Sequence, residues 1–218
     1  MKRRSTSGFT ILELAIAATI MAVVLGGTAL AMRRGLELNR WMTADGDLNS
    51  RSARGLSSIS RRLFGAGLET LDPDLTTLPG EDTVWSETLD LELGSDWAGG
   101  EIQWGEVRRI ALEFGRGELD NGVDDNGDGL VDEQMAVLIV NPGEPDQRRA
   151  VLVSGVSEYL EGEVFNGLDD NGNGLVDERG LCFALEGELL TIRLSVERLG
   201  PDGRLMVRTQ ETTIGLRN

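Results

Sequence analysis

The feature that most constrains this chain is an apolar segment close to its N-terminus. Residues 9–32 read FTILELAIAATIMAVVLGGTALAM and contain a single charged side chain, Glu13. At a helical rise of ~1.5 Å per residue, a segment of this length spans the ~30 Å hydrocarbon core of a bilayer. Lys2, Arg3 and Arg4 precede it, which favours a cytoplasmic N-terminus. The sequence therefore predicts one transmembrane helix, with the rest of the chain translocated.

Glu13 is the unusual residue of this segment, because an unpaired carboxylate in lipid costs roughly 3 kcal/mol and intramembrane charge is by default functional. The alternative interpretation of the segment is an ordinary secretory signal, cleaved after Ala29-Leu30-Ala31 and before Met32. Such a signal would gain nothing from an acid near the start of its apolar run. The position of Glu13 therefore favours a retained helix.

Residues 8–13, GFTILE, follow a short basic leader, and this string resembles the prepilin leader and first helix of type IV pilins and type II secretion pseudopilins. The resemblance implies that prepilin peptidase cleaves between Gly8 and Phe9 and methylates the new Phe9 amine. Glu13 is then the fifth mature residue, and its carboxylate can pair with an N-terminal ammonium within one subunit or between neighbours. The proline that the family carries in the centre of this helix is absent.

The segment after the membrane helix has a helix-compatible composition. Residues 33–64 place apolar side chains near helical spacing, although Gly35, Gly46 and Gly55 leave room for a break. Residues 65–218 then carry β-forming runs between turn residues. Strands are expected at 83–93, 101–114, 135–140, 150–153, 189–198 and 205–214.

These segments predict an α+β, pilin-like fold in which a long N-terminal helix packs on an antiparallel β-sheet head. The expected parts are a leader peptide at 1–8, a transmembrane helix at 9–32, its periplasmic continuation at 33–64 and the head at 65–218. The clearest hairpin is 191–214, where two alternating runs flank the turn sequence GPDG.

The order of the pieces in the head carries a second resemblance. The stretch RRAVLVSGVSEYLEGE, at 148–163, precedes a final strand pair that ends in GLRN. This layout resembles the J-type minor pseudopilins and the W-type minor pilins. The resemblance implies a minor rather than a major subunit.

An acidic string occurs twice in the head. Residues 121–133 read NGVDDNGDGLVDE and residues 166–178 read NGLDDNGNGLVDE. Oxygen ligands at alternating positions followed by Gly are typical of calcium loops, here within 120–133 and 165–178. The predicted metal ligands are Asp124, Asn126, Asp128, Asp132 and Glu133 in the first copy and Asp169, Asn171, Asn173, Asp177 and Glu178 in the second.

The bidentate Glu that ends an EF-hand loop is missing, so the repeats look more like the shortened Asp/Asn-Gly calcium loops of dockerin and thrombospondin repeats. Asp120 and Asp125 are additional candidate ligands. The second copy has Asn173 where the first has Asp128, which predicts weaker calcium binding at the second site. The alternative is a pair of solvated Asn-Gly turns that link strands.

Composition limits the remaining functions. The net charge is −16 and the N-terminal segment is basic, so the head is strongly acidic, which excludes nucleic acid as a partner and favours cations. The chain has no His, which removes the commonest general base, and the single Cys182 lies in an apolar run and predicts a buried hydrophobe. No catalytic residue is assigned. An acidic metal-dependent hydrolase would need a nucleophile that these motifs do not supply.

The sequence thus predicts a minor subunit of a type II secretion pseudopilus or a type IV pilus, with structural calcium in its head. Its expected partners are prepilin peptidase and other pilin or pseudopilin subunits. The expected location is the bacterial inner membrane, with a cytoplasmic N-terminus and a periplasmic head, from which the subunit can be extracted into a filament. The alternative is a calcium-binding exported or membrane-tethered protein that joins no filament.

Overall fold

The structure is a computed structural model that describes residues 10–75 and 84–216. The predicted leader at 1–8 and the predicted cleavage-site residues Gly8 and Phe9 lie outside the described residues, as does Thr83 at the start of the first expected strand. The chain forms two compact units, which divide between Ala44 and Asp45.

The first unit contains the N-terminal part of helix α1, which runs from Ile11 to Leu63 without a break. Among the described residues, α1 is long and apolar enough to cross a membrane, with a mean hydropathy of 2.2 over an 18-residue window. None of that window is buried within the chain. The predicted long apolar helix is therefore confirmed, and its surface is left for lipid or for other helices.

The second unit contains the C-terminal turns of α1 and the β-rich head. Its described residues form a short 3-10 turn at Leu68–Thr70 and ten strands. The strands are β1 (Trp85–Ser86), β2 (Leu89–Leu91), β3 (Gly94–Ala98), β4 (Glu101–Trp104), β5 (Arg108–Phe114), β6 (Gln134–Val140), β7 (Arg148–Val156), β8 (Leu181–Glu186), β9 (Leu189–Leu199) and β10 (Leu205–Gly215).

Eight of these strands form one antiparallel sheet in the order β1-β8-β9-β7-β6-β5-β2, with β10 added by pairing with β9. Strands β3 and β4 pair with each other in a separate ribbon. Strand β9 lies at the centre: one edge pairs with β10 over its whole length, and the other is shared by β8 and by Val156 at the end of β7. The α+β, pilin-like fold and the predicted terminal hairpin are confirmed.

Two of the expected strands are divided in the structure. The segment at 83–93 contains β1 and β2, which pair with β8 and β5 at opposite ends of the sheet. The segment at 101–114 contains β4 and β5, which belong to different sheets. The division falls at Gly105, whose N–H bonds to the Leu93 carbonyl instead of continuing a strand. A residue without a side chain has little to hold it in a strand.

The C-terminal turns of α1 pack on the head through one stripe of side chains. Leu48, Ser52, Leu56, Ile59 and Leu63 are all buried and recur every three or four residues, which places them on one helix face. The four leucine and isoleucine side chains join the main hydrophobic core with residues of the sheet. One stripe of these helical turns is therefore buried against the sheet, as the near-helical spacing of apolar side chains at 33–64 predicts.

Gly55 marks the closest approach of α1 to the sheet. A Cβ atom added there would lie 2.6 Å from the Val153 side chain in β7 and 3.0 Å from that of Leu194 in β9. Gly55 therefore does not interrupt the helix; it lets the helix pack tightly on the strands.

Strand β8, which the sequence patterns did not predict, is buried on both faces. Leu181, Phe183 and Leu185 belong to the main core, whereas Cys182 and Ala184 belong to a second, smaller cluster. That cluster is completed by Leu160 and Leu175 from the β7–β8 connection. Cys182 is fully buried, as predicted, and burial raises the pKa of its thiol to about 12.

Candidate functional site

Glu13 lies in the first turn of α1, where it forms a reciprocal cap with Thr10. Its Oε2 accepts hydrogen bonds of 2.9 Å from the Thr10 backbone N–H and from the Thr10 hydroxyl. The Thr10 hydroxyl oxygen in turn accepts a 3.3 Å bond from the Glu13 backbone N–H. This is a capping box, which satisfies N–H groups that a helix start leaves free. The carboxylate is thereby fixed at the N-terminal end of the apolar helix.

The two acidic repeats connect β5 to β6 and β7 to β8, and they have the same conformation. Gly115 N–H donates to the Glu133 carbonyl at 2.8 Å, and Leu160 N–H donates to the Glu178 carbonyl at 3.0 Å, which closes the base of each loop. The positive φ angles also coincide, for example 52° at Asp132 and 53° at the equivalent Asp177. The structural repeat therefore starts several residues before the repeated string that the sequence displays.

Two of the predicted ligands in the first loop bind its backbone. The Asp124 carboxylate accepts bonds from the N–H groups of Gly127 (2.6 Å) and Gly129 (2.8 Å), one on each oxygen. The Asp132 carboxylate accepts from the N–H groups of Asn121 and Gly122. These aspartates therefore fold the loop.

The second loop repeats this arrangement. Asp169 accepts bonds from the N–H groups of Gly172 (2.7 Å) and Gly174 (2.8 Å), and Asp177 accepts from those of Asn166 and Gly167. Such side-chain to backbone bonds are the reason that Asp and Asn favour tight turns.

The alternating residues at the centre of each loop form consecutive Asx turns. Asn126 Oδ1 accepts from Asp128 N–H, and Asp128 Oδ1 accepts from Leu130 N–H, both at 2.9 Å. Asn171 and Asn173 make the same bonds in the second loop.

Two glutamates lie beneath the first loop, and Asn126 contacts both. Its backbone N–H donates to Glu118 Oε1 at 2.9 Å, and its side-chain amide donates to Glu133 Oε1 at 2.8 Å. Gly117, with φ of 93°, immediately precedes Glu118, and a Cβ at this glycine would lie 3.4 Å from Asn126. A positive φ next to this contact favours glycine.

The second loop encloses an equivalent pair. Asn171 N–H donates to Glu163 Oε1 at 2.9 Å, and the Asn173 side-chain amide donates to Glu178 Oε1 at 2.6 Å. Here Asn173, which stands where the first loop has Asp128, supplies the amide group. The single change of chemistry between the repeats therefore lies directly at the glutamate pair.

All four glutamates are buried, and each has one oxygen without a hydrogen-bond partner. The exposed fractions of Glu118, Glu133, Glu163 and Glu178 are 5%, 5%, 7% and 0%. In each side chain Oε1 accepts a bond, whereas Oε2 has no partner among the described residues. A buried polar atom left in this state costs about 1–3 kcal/mol, and more when charged. The two loops therefore concentrate unsatisfied negative charge.

The electrostatics of the loops agree with this geometry. Burial raises the pKa of Glu133, and the nearby charges of Asp128 and Glu118 raise it further. Burial also raises the pKa of Glu178, with a further contribution from Glu163. Both carboxyl groups are thus harder to ionise than usual unless a cation is present.

Glu197, in β9, is a fifth buried carboxyl next to the first loop. Burial is the main cause that raises its pKa to about 7, and the charges of Glu133, Glu158 and Asp128 act in the same direction. A hydrogen bond with Ser157 opposes this shift.

Among the described residues, no group of three or more His, Cys, Asp or Glu side chains is arranged to hold a metal ion. Each loop instead holds a pair of glutamates through N–H groups of its Asn residues. The carboxylate oxygens of these glutamates are a donor type that calcium prefers. Of the predicted ligands, Glu133 and Glu178 belong to these pairs. Glu118 and Glu163 were missed, although Gly117-Glu118 and Gly162-Glu163 stand at the same spacing as the rest of the repeat.

The described residues thus combine a capped apolar helix with an antiparallel β-sheet head, the arrangement expected of type IV pilin-like proteins of the prepilin type. The family described as the prokaryotic N-terminal methylation motif matches residues 3–29, which include Glu13. This motif and the long apolar helix together support a type IV pilin-like protein of the prepilin type. No curated protein and no solved structure matches it.

Proposed function

We propose that the protein is a minor subunit of a type II secretion pseudopilus or a type IV pilus, assembled through its N-terminal helix. The observation that carries the proposal is Glu13, the one charged side chain of the apolar segment at 9–32, whose helical window has no buried residue. In a bilayer such a charge requires a partner. The methylation motif supplies one, because cleavage before Phe9 creates an ammonium close to it in sequence.

The pairing has a direct consequence for assembly. If the Phe9 ammonium of one subunit binds Glu13 of its neighbour, two charges that are costly in lipid neutralise each other only when the helices have a fixed stagger. The apolar side chains along the helix then pack against neighbouring helices. The head faces the periplasm, and its function in the filament requires no catalysis.

Processing of the expressed chain in its membrane tests this proposal. With prepilin peptidase present, the wild-type protein is expected to begin at N-methyl-Phe9 in mass spectrometry, whereas Gly8→Ala keeps the leader. Gly27→Ala is the matched control, since a Cβ at Gly27 has no neighbour within 4 Å. Normal shortening of Gly8→Ala would rule out this maturation route.

The second candidate is a calcium-binding exported or tethered protein that joins no filament. Its support is the apolar segment, which precedes the small residues Ala29-Leu30-Ala31, and the acidic loops. The same mass spectrum separates the two candidates. A mature chain that begins at Met32 favours secretion, and one that begins at Phe9 favours the filament subunit.

Calcium in the two acidic loops is the proposed cofactor of the head, with a structural role. The proposal is supported by the unpartnered oxygens of the buried glutamates, which a divalent cation would satisfy. A ligand at 100 times its Kd stabilises the folded state by about 2.7 kcal/mol per site. Calcium is therefore expected to raise the melting temperature of the full chain in detergent by roughly 5–10 °C over chelator. Equal melting curves would remove the cofactor from the proposal.

A further inference from the structure

Each acidic loop buries a pair of glutamate side chains whose negative charges the structure does not balance. Glu118 and Glu133 both bind Asn126, whereas Glu163 binds Asn171 and Glu178 binds Asn173. Each pair places two carboxylates of the same sign in a dry environment. Like charges at such a site repel, and desolvation adds to the cost.

None of these four side chains forms a salt bridge within the described part of the chain. The charge of Arg193 lowers the pKa of Glu178, but this guanidinium is bound to Glu211 at 3.1 Å. In both loops, one carboxylate oxygen of each buried glutamate has no hydrogen-bond partner among the described residues. Because the same two acceptors are unsatisfied in each loop, we expect a bound cation to satisfy them.

The aspartates of the loops already accept backbone hydrogen bonds. Both oxygens of Asp124 and both oxygens of Asp169 accept backbone N–H groups, and the same is true of Asp132 and Asp177. Each of these oxygens keeps a second lone pair, so the aspartates remain candidate ligands. Oε2 of each buried glutamate accepts no hydrogen bond among the described residues, so the unmet acceptor capacity is greatest at the glutamates.

We propose that each glutamate pair, Glu118 with Glu133 and Glu163 with Glu178, is the anionic core of one calcium site. This assignment deepens the calcium role proposed above and rests on it, and it adds Glu118 and Glu163 to the ligand set. The two carboxylates balance the charge of one divalent cation. Asp128 contributes a third carboxylate near the first site, and its charge raises the pKa of Glu133. The second site has the neutral Asn173 at the equivalent position.

Calcium fits these sites better than the softer metals do. The two loops are rich in carboxylate and amide oxygens, and His, which favours zinc and copper, is absent from the chain. Loops built of Asx turns can supply carbonyl oxygens at varied angles. Calcium tolerates such irregular coordination, whereas magnesium requires a near-octahedral arrangement.

Titration of the full chain in detergent with calcium chloride, after removal of metal by chelator, tests the assignment. The wild-type protein is expected to bind two ions. Glu118→Gln is expected to weaken the first site and Glu163→Gln the second, each by roughly tenfold or more, because each change removes a charge from the ligand set. Glu144→Gln, which removes a charge from an exposed turn, is the matched control.

A second measurement separates a metal ligand from a purely structural residue. Gln keeps the Oε1 acceptor that Asn126 or Asn171 uses and replaces a buried charge by a neutral amide. Both variants are therefore expected to melt in chelator at the wild-type temperature or above it, and to lose most of the stabilisation by calcium. A variant that melts several degrees lower in chelator would contradict the proposal.

The outcomes distinguish this assignment from the cofactor proposal on which it rests. Weak extracellular calcium sites have a Kd below about 5 mM. If the wild-type chain binds no calcium at this concentration, the calcium role and the glutamate assignment are both wrong. If the double variant Glu118→Gln/Glu163→Gln still binds two ions with wild-type affinity, the calcium role stands and the glutamate assignment is wrong.

Discussion

The Glu13 carboxylate accepts two hydrogen bonds of 2.9 Å from Thr10, one from the backbone N–H and one from the hydroxyl. Phe9 directly precedes Thr10 in the sequence. The cleavage proposed above would place an ammonium at Phe9, one residue from the group that already binds Glu13. The capping box holds the acid at the end of the helix where this amine would form.

The first prediction concerns Glu13→Gln. The amide keeps the size of the side chain and much of the cap but removes the charge, so membrane insertion is expected to persist while recruitment into a filament falls by roughly tenfold or more. The measurement is the ratio of the subunit in sheared filaments to that in the membrane fraction. Glu37→Gln, which changes an exposed acid farther along the same helix, serves as the control. Undiminished recruitment of Glu13→Gln would contradict the charge-pairing mechanism.

The second prediction compares two glycines of α1. Gly55→Ala is expected to destabilise the head by about 1–3 kcal/mol, because its new methyl group overlaps the Val153 side chain. Gly46→Ala meets nothing within 4 Å and is expected to stabilise the helix by about 0.5–1 kcal/mol. Chemical unfolding of the full chain in detergent measures both. Stabilisation by both variants would show that α1 does not pack closely at Gly55.

The third prediction concerns pH in the absence of metal. The pKa of Glu197 is raised from 4.5 to about 7 in the folded state, so the folded protein binds this proton more tightly than the unfolded chain does. Its contribution to the free energy of unfolding is complete below pH 4.5 and is lost as the pH rises to about 7, a decrease of up to about 3 kcal/mol. Glu133 and Glu178 act in the same direction.

Thermal melts in chelator across this pH range provide the measurement. Glu197→Gln is expected to flatten the pH dependence, whereas Glu186→Gln, on the exposed end of β8, leaves it unchanged. A metal-free head that becomes more stable as the pH rises through this window would show that Glu197 is not buried as a neutral acid.

The fourth prediction uses Cys182, the single cysteine of the chain, as a reporter for the second loop. Leu160 and Leu175 cover it, and its raised pKa leaves almost no thiolate at neutral pH, so a thiol reagent should react slowly. Leu175→Ala is expected to accelerate labelling by roughly tenfold, because it opens this cover. Leu130→Ala, the equivalent change in the first loop, should leave the rate nearly unchanged. Equal acceleration by both variants would mean that labelling follows global unfolding.

The fifth prediction exchanges Asp128 and Asn173, the position at which the two repeated strings differ in charge. Asp128→Asn is expected to weaken calcium binding at the first site by roughly tenfold, and Asn173→Asp to strengthen the second, since affinity follows the number of charged ligands. In chelator we expect Asn173→Asp to have the lower melting temperature of the two variants, because it replaces the amide donor of Glu178 with a third negative charge. Titration and melting of the two variants measure these effects; unchanged affinities in both would place the ion away from this position.

Several elements could be predicted from the sequence because a single physical signal determines them. The apolar run specifies the helix that starts at Ile11, and alternation specifies β10 and the first half of β9, where buried Leu190, Ile192 and Leu194 alternate with less buried residues. Strand β8 gives no alternation, since the second loop covers its outer face at Cys182 and Ala184. Strand β3 is mostly exposed and contains Gly, Ser and Asp, which have low strand propensity.

The candidate site shows a similar division. The repeated string reveals both loops and the chemistry of their side chains, but it does not reveal which oxygens remain free after the loop has folded. Asp124 is predicted as the first ligand of a calcium loop, and in the structure each of its oxygens also accepts a backbone N–H. Glu118 and Glu163 stand before the string and become partners of Glu133 and Glu178 only when the base of each loop closes.

The closed base has a consequence for how this head is organised. Each loop bonds residues at its own two ends and caps its own turns, so its conformation is set largely by bonds within the loop. One copy joins β5 and β6, which are neighbours, and the other joins β7 and β8, which are not paired with each other. The same local bonds thus produce one loop shape in two unrelated strand connections.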